Sequence, residues 1–214
     1  MGLVRRVFRR SFEQVERYAD DWRNANELAL GSTGPLWVVL GDSAAQGVGA
    51  SSYDNGWVGL VHRRLGPQWR VVNLSKSGAR TRAVVDEQWP AAEHLDADLI
   101  TAVAGGNDAM HTRQQQWLRD VDDLLAALPA GAVVSTTARG VFERKTARVN
   151  ARIRDAAAAK GLRVADIWSH TGPPYKGLYA DGLHPNDTGY VQWADAVWDV
   201  VRGDERPGAQ PLPS

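Results

Sequence analysis

The sequence predicts an α/β fold, in which a parallel sheet carries helices on both of its faces. Five short apolar runs, each typical of a buried strand, alternate with helical stretches along residues 36–202. The chain has 214 residues, a length that suits an open doubly wound sheet better than an eight-stranded barrel. Polar residues follow most of the apolar runs, as expected where such a sheet binds its ligand.

The first element is a helix predicted over residues 3–28. Apolar residues recur in it at three- and four-residue spacing. Four arginines near its start are also typical of a helix lying on an anionic membrane, but acidic residues follow at once and cancel that charge. We therefore favour a helix that packs on the domain or on a second subunit, which would make a homo-oligomer. Residues 1–34 are assigned to this helix and a linker. The apolar positions are Val4, Val7, Phe8, Phe12, Val15, Tyr18, Ala19 and Trp22.

The main unit, residues 35–202, contains the predicted strands and five further helices. Strand-like runs cover residues 36–40, 69–75, 98–105, 131–138 and 162–168. Helices are predicted over 57–65, 82–95, 113–128, 143–160 and 186–202. The second of these is expected to be interrupted or to end near Pro90, and Gly161 is a suitable cap for the fourth. The polar, proline-rich residues 203–214 are predicted to form a disordered tail.

Composition argues against several classes of function. Lys plus Arg number 25 and Asp plus Glu number 25, so no basic excess favours nucleic acid. The chain has no cysteine, which excludes disulfides, thiolate metal sites and a cysteine nucleophile. No apolar run approaches the ~20 residues of a membrane span, and the charged N-terminus does not read as a signal peptide. We expect a cytoplasmic protein without a membrane span.

Residues with chemistry follow four of the five predicted strands. Ser43 follows the first, Gly78 the second and Asn107 the third, while Asp181 and His184 follow the fifth after a longer loop. Ligands of doubly wound sheets bind outside the carboxyl ends of the strands, where these residues would meet. The sequence therefore predicts one site at this edge of the sheet.

This set of residues matches the needs of acyl transfer. A serine hydroxyl needs a base within hydrogen-bond reach, and a histidine oriented by an aspartate supplies one. The spacing of Asp181 and His184 allows the carboxylate to curl back to Nδ1 while Nε2 faces Ser43. The amides of Ser43 and Gly78 and the side chain of Asn107 can stabilise the oxyanion. We expect a serine esterase that acts on a small-molecule ester and needs no cofactor or metal.

Two alternatives stay open at this point. Asp42 and Asp108, together with Asp181 and His184, are the residue types of a metal-dependent phosphoesterase. We favour a structural role for Asp42 and Asp108, because hard-cation sites gather more oxygen ligands than this. The other alternative is a non-catalytic module that binds an acyl or sugar ligand in the same cleft.

The sequence does not decide which residues line the substrate pocket. The loop over residues 169–180 contains Tyr175, Leu178 and Tyr179, which are suited either to an acyl or alcohol pocket or to a simple surface connection. For Arg139, after the fourth predicted strand, the same two alternatives stay open: a place on the rim of the substrate pocket, or an ordinary surface position.

Four sequence blocks resemble the SGNH hydrolases, also called the GDSL lipase/esterase family. They are GDSAAQG (41–47), NLSKSGA (73–79), GGND (105–108) and DGLHPN (181–186), and the resemblance spans residues 36–202. It implies a flavodoxin-like three-layer α/β/α sandwich with strand order 2-1-3-4-5.

The resemblance also implies roles for individual residues. By similarity, Ser43 is the nucleophile, Gly78 and Asn107 are oxyanion-hole donors, and His184 is the base with Asp181 as its partner. Ala44 stands where the family's name motif has leucine, a change that bears on packing and not on proton transfer. Members of the family act on short acyl esters, thioesters, acetylated sugars and lysophospholipids, so the resemblance does not choose among these substrates.

Overall fold

The five predicted strands form one parallel sheet. The structure, a computed structural model, describes residues 2–140 and 142–202, with side chains from residue 13 onward, so the predicted tail lies outside the described residues. The strands lie in the order β2-β1-β3-β4-β5, which confirms the predicted fold class. Their bounds are β1 Leu36–Gly41, β2 Arg70–Asn73, β3 Leu99–Val103, β4 Val133–Ser135 and β5 Arg163–Ala165.

Helices cover both faces of this sheet and complete the three layers. Their bounds are α1 Gly2–Leu30, α2 Trp57–Leu65, α3 Thr81–Ala83, α4 Trp89–Ala92, α5 Gly106–His111, α6 Gln114–Ala127, α7 Glu143–Ala159, α8 Ile167–His170 and α9 Asp187–Val201. A 3₁₀ turn spans Tyr53–Asn55, and a π-helical turn over Val84–Gln88 joins α3 to α4.

Strand β1 lies at the centre of the core because its side chains alternate between the two layers. Trp37 and Val39 pack with α2 and α9, whereas Val38 and Leu40 pack with α6 and α7. All four side chains are fully buried. Burial on both faces explains why the sequence of β1 is apolar without interruption. The residues that follow β1 therefore lie at the carboxyl edge of the sheet.

Two local features differ from the prediction. The fifth strand ends at Ala165, because its partner β4 is three residues long, and residues 167–170 form α8 instead. Residues 106–111 form the short helix α5, which was not predicted. The predicted interruption near Pro90 is confirmed: the π-helical turn over Val84–Gln88 lies just before this proline, and α4 ends at Ala92.

Helix α1 packs on the domain through its described side chains. Tyr18 is 1% exposed and Trp22 is 6% exposed, and Trp22 belongs to the same core as α2 and α9. The side chains of the four arginines lie outside the described part of the helix. In the portion of the chain that the structure describes, every helix is too short or too polar to cross a membrane.

Candidate active site

The loop that follows β1 presents Ser43. The carbonyl oxygen of Asp42 accepts hydrogen bonds from the amides of Ala45 and Gln46, at 3.1 and 3.2 Å, so the chain turns tightly as soon as the strand ends. A carboxylate oxygen of Asp42 also accepts the amide of Ala44 at 2.9 Å. The turn leaves the Oγ of Ser43 at 2.9 Å from Nε2 of His184.

A second loop presents His184 together with Asp181. One carboxylate oxygen of Asp181 accepts the amides of Leu183 and His184 at 2.9 and 2.7 Å. The other lies 2.7 Å from Nδ1 of the His184 ring. The Asp181 side chain is 2% exposed, so this contact is shielded from water. The carboxylate therefore curls back to Nδ1 as the three-residue spacing predicts, while Nε2 faces Ser43.

Two backbone amides and one side-chain amide are available as donors near Ser43. Among residues 2–140 and 142–202, no protein acceptor takes the amide N–H of Ser43 or that of Gly78. Gly78 has φ +80°, and a Cβ at this position would meet nothing within 4 Å, so the backbone is open on that side. Asn107 uses one N–H of its side chain to donate to the carbonyl of Ala79 at 3.0 Å, which ties it to the Gly78 loop.

The two other aspartates of the region anchor loops. Asp108 is completely buried and accepts from the amide and hydroxyl of Thr81, at 2.8 and 3.0 Å, and from the hydroxyl of Thr112 at 2.9 Å. Burial raises its pKa. Nowhere in the described residues do three or more His, Asp or Glu side chains gather as a metal site would require.

Asp42 is a buried carboxyl group at the edge of the cavity that adjoins the site. Burial raises the pKa of Asp42 to about 6, against smaller opposing effects of the Ala44 amide and of His184. The side chain is 6% exposed and helps to line the cavity. A buried carboxyl with an elevated pKa beside a catalytic candidate is a feature that the sequence did not predict.

A cavity of about 520 Å³ lies beside this group of residues, at the carboxyl ends of β3 and β4. Tyr175, Tyr179 and Arg139 are among its lining residues, whereas Leu178 is not. Residues 135–138 also line the cavity and were not predicted, although the strand-end rule that located Ser43 applies equally to β4.

Several solved structures have the same fold. TesA gives a TM-score of 0.67 at 23% identity, over 79% of this chain and 99% of TesA. LAE5, an alpha/beta hydrolase enzyme from the metagenome of Lake Arreo, Spain, gives 0.67 at 19% identity, over 80% of this chain and 96% of LAE5. Axe2, an acetylxylan esterase from Geobacillus stearothermophilus, gives 0.62 at 18% identity, over 79% and 95% of the two chains.

Comparison at the level of sequence gives the family. A search of curated proteins found no match to this chain. The model of the GDSL-like lipase/acylhydrolase family matches residues 39–192, which is most of the chain and includes Ser43 and His184. The chain therefore belongs to the GDSL-like lipase/acylhydrolase family, whose members are ester-hydrolysing serine hydrolases.

Proposed function

We propose that the protein hydrolyses carboxylic esters through an acyl-enzyme on Ser43, with His184 as the base and Asp181 orienting it. The observation that carries this proposal is the continuous contact from Ser43 Oγ to His184 Nε2 at 2.9 Å and from His184 Nδ1 to Asp181 at 2.7 Å. Both distances lie within the range over which a base activates a serine nucleophile.

In the first half of the reaction, Ser43 Oγ attacks the ester carbonyl carbon while His184 Nε2 takes the hydroxyl proton. The carbonyl oxygen becomes an oxyanion, for which the amides of Ser43 and Gly78 and the side chain of Asn107 are the proposed donors. The C–O bond to the alcohol then breaks, and His184 returns the proton to the leaving alkoxide. Asp181 stabilises the imidazolium that exists between these two steps.

In the second half, water replaces the alcohol. His184 takes a proton from this water as it attacks the acyl carbon, the same donors hold the second oxyanion, and the bond to Ser43 Oγ breaks. The proton returns to Ser43 and the carboxylic acid leaves. Every proton moves between groups of this chain, the substrate and water, so the cycle needs no cofactor.

The lining of the cavity favours an ester that carries a large apolar group. Three large apolar side chains that line it are unusually exposed: Phe142 and Leu183 at 44%, and Tyr175 at 36%. Exposed apolar side chains grouped around one opening are typical of a ligand site. We propose that they receive the acyl chain or the alcohol of the substrate, in preference to a polar sugar.

The test is the hydrolysis of p-nitrophenyl esters of increasing acyl length, with and without EDTA. We expect Ser43→Ala to lower kcat by at least ~10⁴, and Ser52→Ala, at a partly exposed serine whose hydroxyl bonds Asp54, to have no effect. Wild-type turnover should resist EDTA, and a fluorophosphonate should add its mass to Ser43 alone. Turnover that survives in Ser43→Ala and is lost with EDTA would favour the metal-dependent phosphoesterase. Ligand binding without turnover would favour the non-catalytic module.

Two sequence-based expectations stay predictions. A homo-oligomer formed through α1 is tested by light scattering during size-exclusion chromatography, with the mass of one 214-residue chain as the contrary result. A cytoplasmic location is tested by fractionation of the source cells.

A further inference from the structure

Helix α1 lies outside the segment that defines the family, because the family match begins at residue 39. Four of its side chains nevertheless bond backbone groups of the sheet domain, three of them in the loop that contains Ser43. They are Gln14, Tyr18, Trp22 and Asn26, which are spaced four residues apart and so form one row along the helix. Tyr18 and Trp22 are apolar positions of the predicted helix, whereas the sequence indicates no role for the two amides.

Gln14 forms a two-point contact with the loop that contains Ser43. Its side-chain N–H donates to the carbonyl of Ala50 at 2.9 Å, and its side-chain oxygen accepts the amide of Gly49 at 3.0 Å. The hydroxyl of Tyr18 donates to the same carbonyl of Ala50 at 2.9 Å. Gln14 is 6% exposed, so these bonds form away from competing water.

Trp22 and Asn26 continue the row. The indole N–H of Trp22 donates to the carbonyl of Gln46 at 3.1 Å. Asn26 donates to the carbonyl of Asn73 at 2.9 Å and accepts the amide of Asn73 at 2.8 Å, which pairs it with the last residue of the edge strand β2. Gln14 and Trp22 therefore bond the loop directly, whereas Asn26 bonds Asn73, whose side chain in turn donates to the carbonyl of Ala45 in the same loop at 2.8 Å.

The loop of residues 42–50, which α1 contacts, contains Ser43 and also packs against the loop of His184. Its amide at Val48 donates to the carbonyl of Ser43 at 3.0 Å. Gly49 packs so closely on the base loop that a Cβ there would lie 2.8 Å from the Cβ of His184. A displacement of residues 48–50 would therefore change the distance between Ser43 and His184.

The same loop also reaches the proposed oxyanion donors. The side chain of Gln46 donates to the carbonyl of Ser75 at 3.0 Å and accepts the hydroxyl of Ser77, which precedes Gly78. Because Trp22 holds the backbone of Gln46, α1 is connected through one residue to the Gly78 loop as well as to Ser43.

We infer that α1 is a positioning element of the active site, in which Gln14 and Trp22 hold residues 42–50 so that Ser43 stays in register with His184 and the oxyanion donors. The inference rests on the proposed serine mechanism. These side chains touch neither the reacting atoms nor the cavity, so they act only through the loop. Misplacement of reacting groups by about 1 Å can cost ~10² in rate.

The test compares two side chains that each attach α1 or its linker to the sheet domain at two points. Gln14→Met removes the contact with the Ser43 loop. Arg70→Met, at the amino end of β2, removes the bonds to the carbonyls of Gly34 and Ala29 and leaves the Ser43 loop untouched. The readouts are the second-order rate of fluorophosphonate labelling at Ser43, located by mass spectrometry, and kcat and KM for a p-nitrophenyl ester well below each variant's Tm.

We expect Gln14→Met to lower the labelling rate and kcat by 10- to 100-fold with KM within threefold. Arg70→Met should lower Tm but change the labelling rate by less than twofold. If Gln14→Met does not fold, Trp22→Phe decides, because it removes the N–H donor and keeps an aromatic ring at this position. The smaller ring also costs packing, so its rate is compared below its own Tm. For Trp22→Phe we expect a three- to tenfold loss.

The outcomes separate this inference from the mechanism on which it rests. Wild type labelled at Ser43, with Gln14→Met or the folded Trp22→Phe labelled at the same rate, overturns the positioning role alone. Equal losses in Gln14→Met and Arg70→Met also overturn it, because α1 would then act only through overall stability. Wild type that takes no label at Ser43 overturns both proposals.

Discussion

Replacement of Asp181 by asparagine should disable the proposed base while leaving its loop intact. One carboxylate oxygen of Asp181 accepts two backbone amides, from Leu183 and His184. In Asp181→Asn the amide oxygen must take this position, because an NH₂ group there would face two N–H donors. The NH₂ group is then directed at Nδ1 of His184, where the second carboxylate oxygen was 2.7 Å away.

This arrangement selects the wrong tautomer of the histidine. An N–H that donates to Nδ1 makes Nδ1 an acceptor and leaves the ring proton on Nε2. Nε2 lies 2.9 Å from Ser43 Oγ, and once protonated it cannot take the serine proton. The equivalent change in a serine protease triad lowers kcat by ~10⁴, so we expect kcat to fall by ~10⁴, or ~5.4 kcal/mol in activation free energy.

The assay is kcat and kcat/KM for a p-nitrophenyl ester between pH 6 and 10, with Tm for each variant. The chain offers a matched control, because Asp199 lies 3.2 Å from Nε2 of His170, an aspartate–histidine pair outside the cavity. Asp199→Asn should leave kcat within twofold. Retention of kcat within tenfold in Asp181→Asn would refute the tautomer argument and the role of Asp181.

Three further predictions concern the other residues of the site. Asn107→Leu keeps a side chain of similar size but removes the proposed donor without adding charge, so we expect kcat to fall by ~10²–10³ with little change in KM. An equal rise in KM would contradict a role confined to the transition state. The pKa of Asp42 rises from 3.8 to about 6 on folding. Protonated Asp42 therefore stabilises the folded protein fully below pH 3.8, and this contribution is lost as the pH rises through 6. The whole change is a fall of ~3 kcal/mol in the free energy of unfolding. Urea unfolding at pH 4.5 and 7.5 should show about 2 kcal/mol of this fall in wild type and not in Asp42→Asn, whose amide oxygen can still accept from Ala44. Parallel curves would count against the raised pKa. Tyr175→Ala should raise KM for the longer acyl esters more than for acetate, and a uniform change across chain lengths would argue that the acyl chain does not occupy the cavity.

The fold was accessible from the sequence because the sheet is buried on both faces. Burial on both faces requires unbroken apolar strands, and the runs that contain β1 and β3 are recognisable for this reason. Strand lengths were less accessible. β5 ends where its neighbour β4 ends, and such a limit depends on pairing between segments about 30 residues apart, not on the composition of either one.

The five candidate positions of the site could also be predicted, since residue types and the strand-end rule indicate the same positions; their roles stay predictions. The elements that hold the site in place were not. Gln14 and Asn26 look like ordinary solvent-facing residues of an amphipathic helix, and nothing near them in the sequence marks Gly49 or Asn73 as partners. The raised pKa of Asp42 likewise depends on burial by distant segments.

Local chemistry and periodicity, which the sequence contains directly, were thus sufficient to determine a parallel α/β sheet and a serine–histidine–aspartate set at one edge of it. Only the tertiary structure decided the distances among these three residues, the shape of the cavity beside them and the attachment of α1 to the Ser43 loop. The physical reason is that hydrogen bonds and burial depend on atoms that are close in space. The separation of two residues along the chain does not indicate whether their atoms meet once the layers pack.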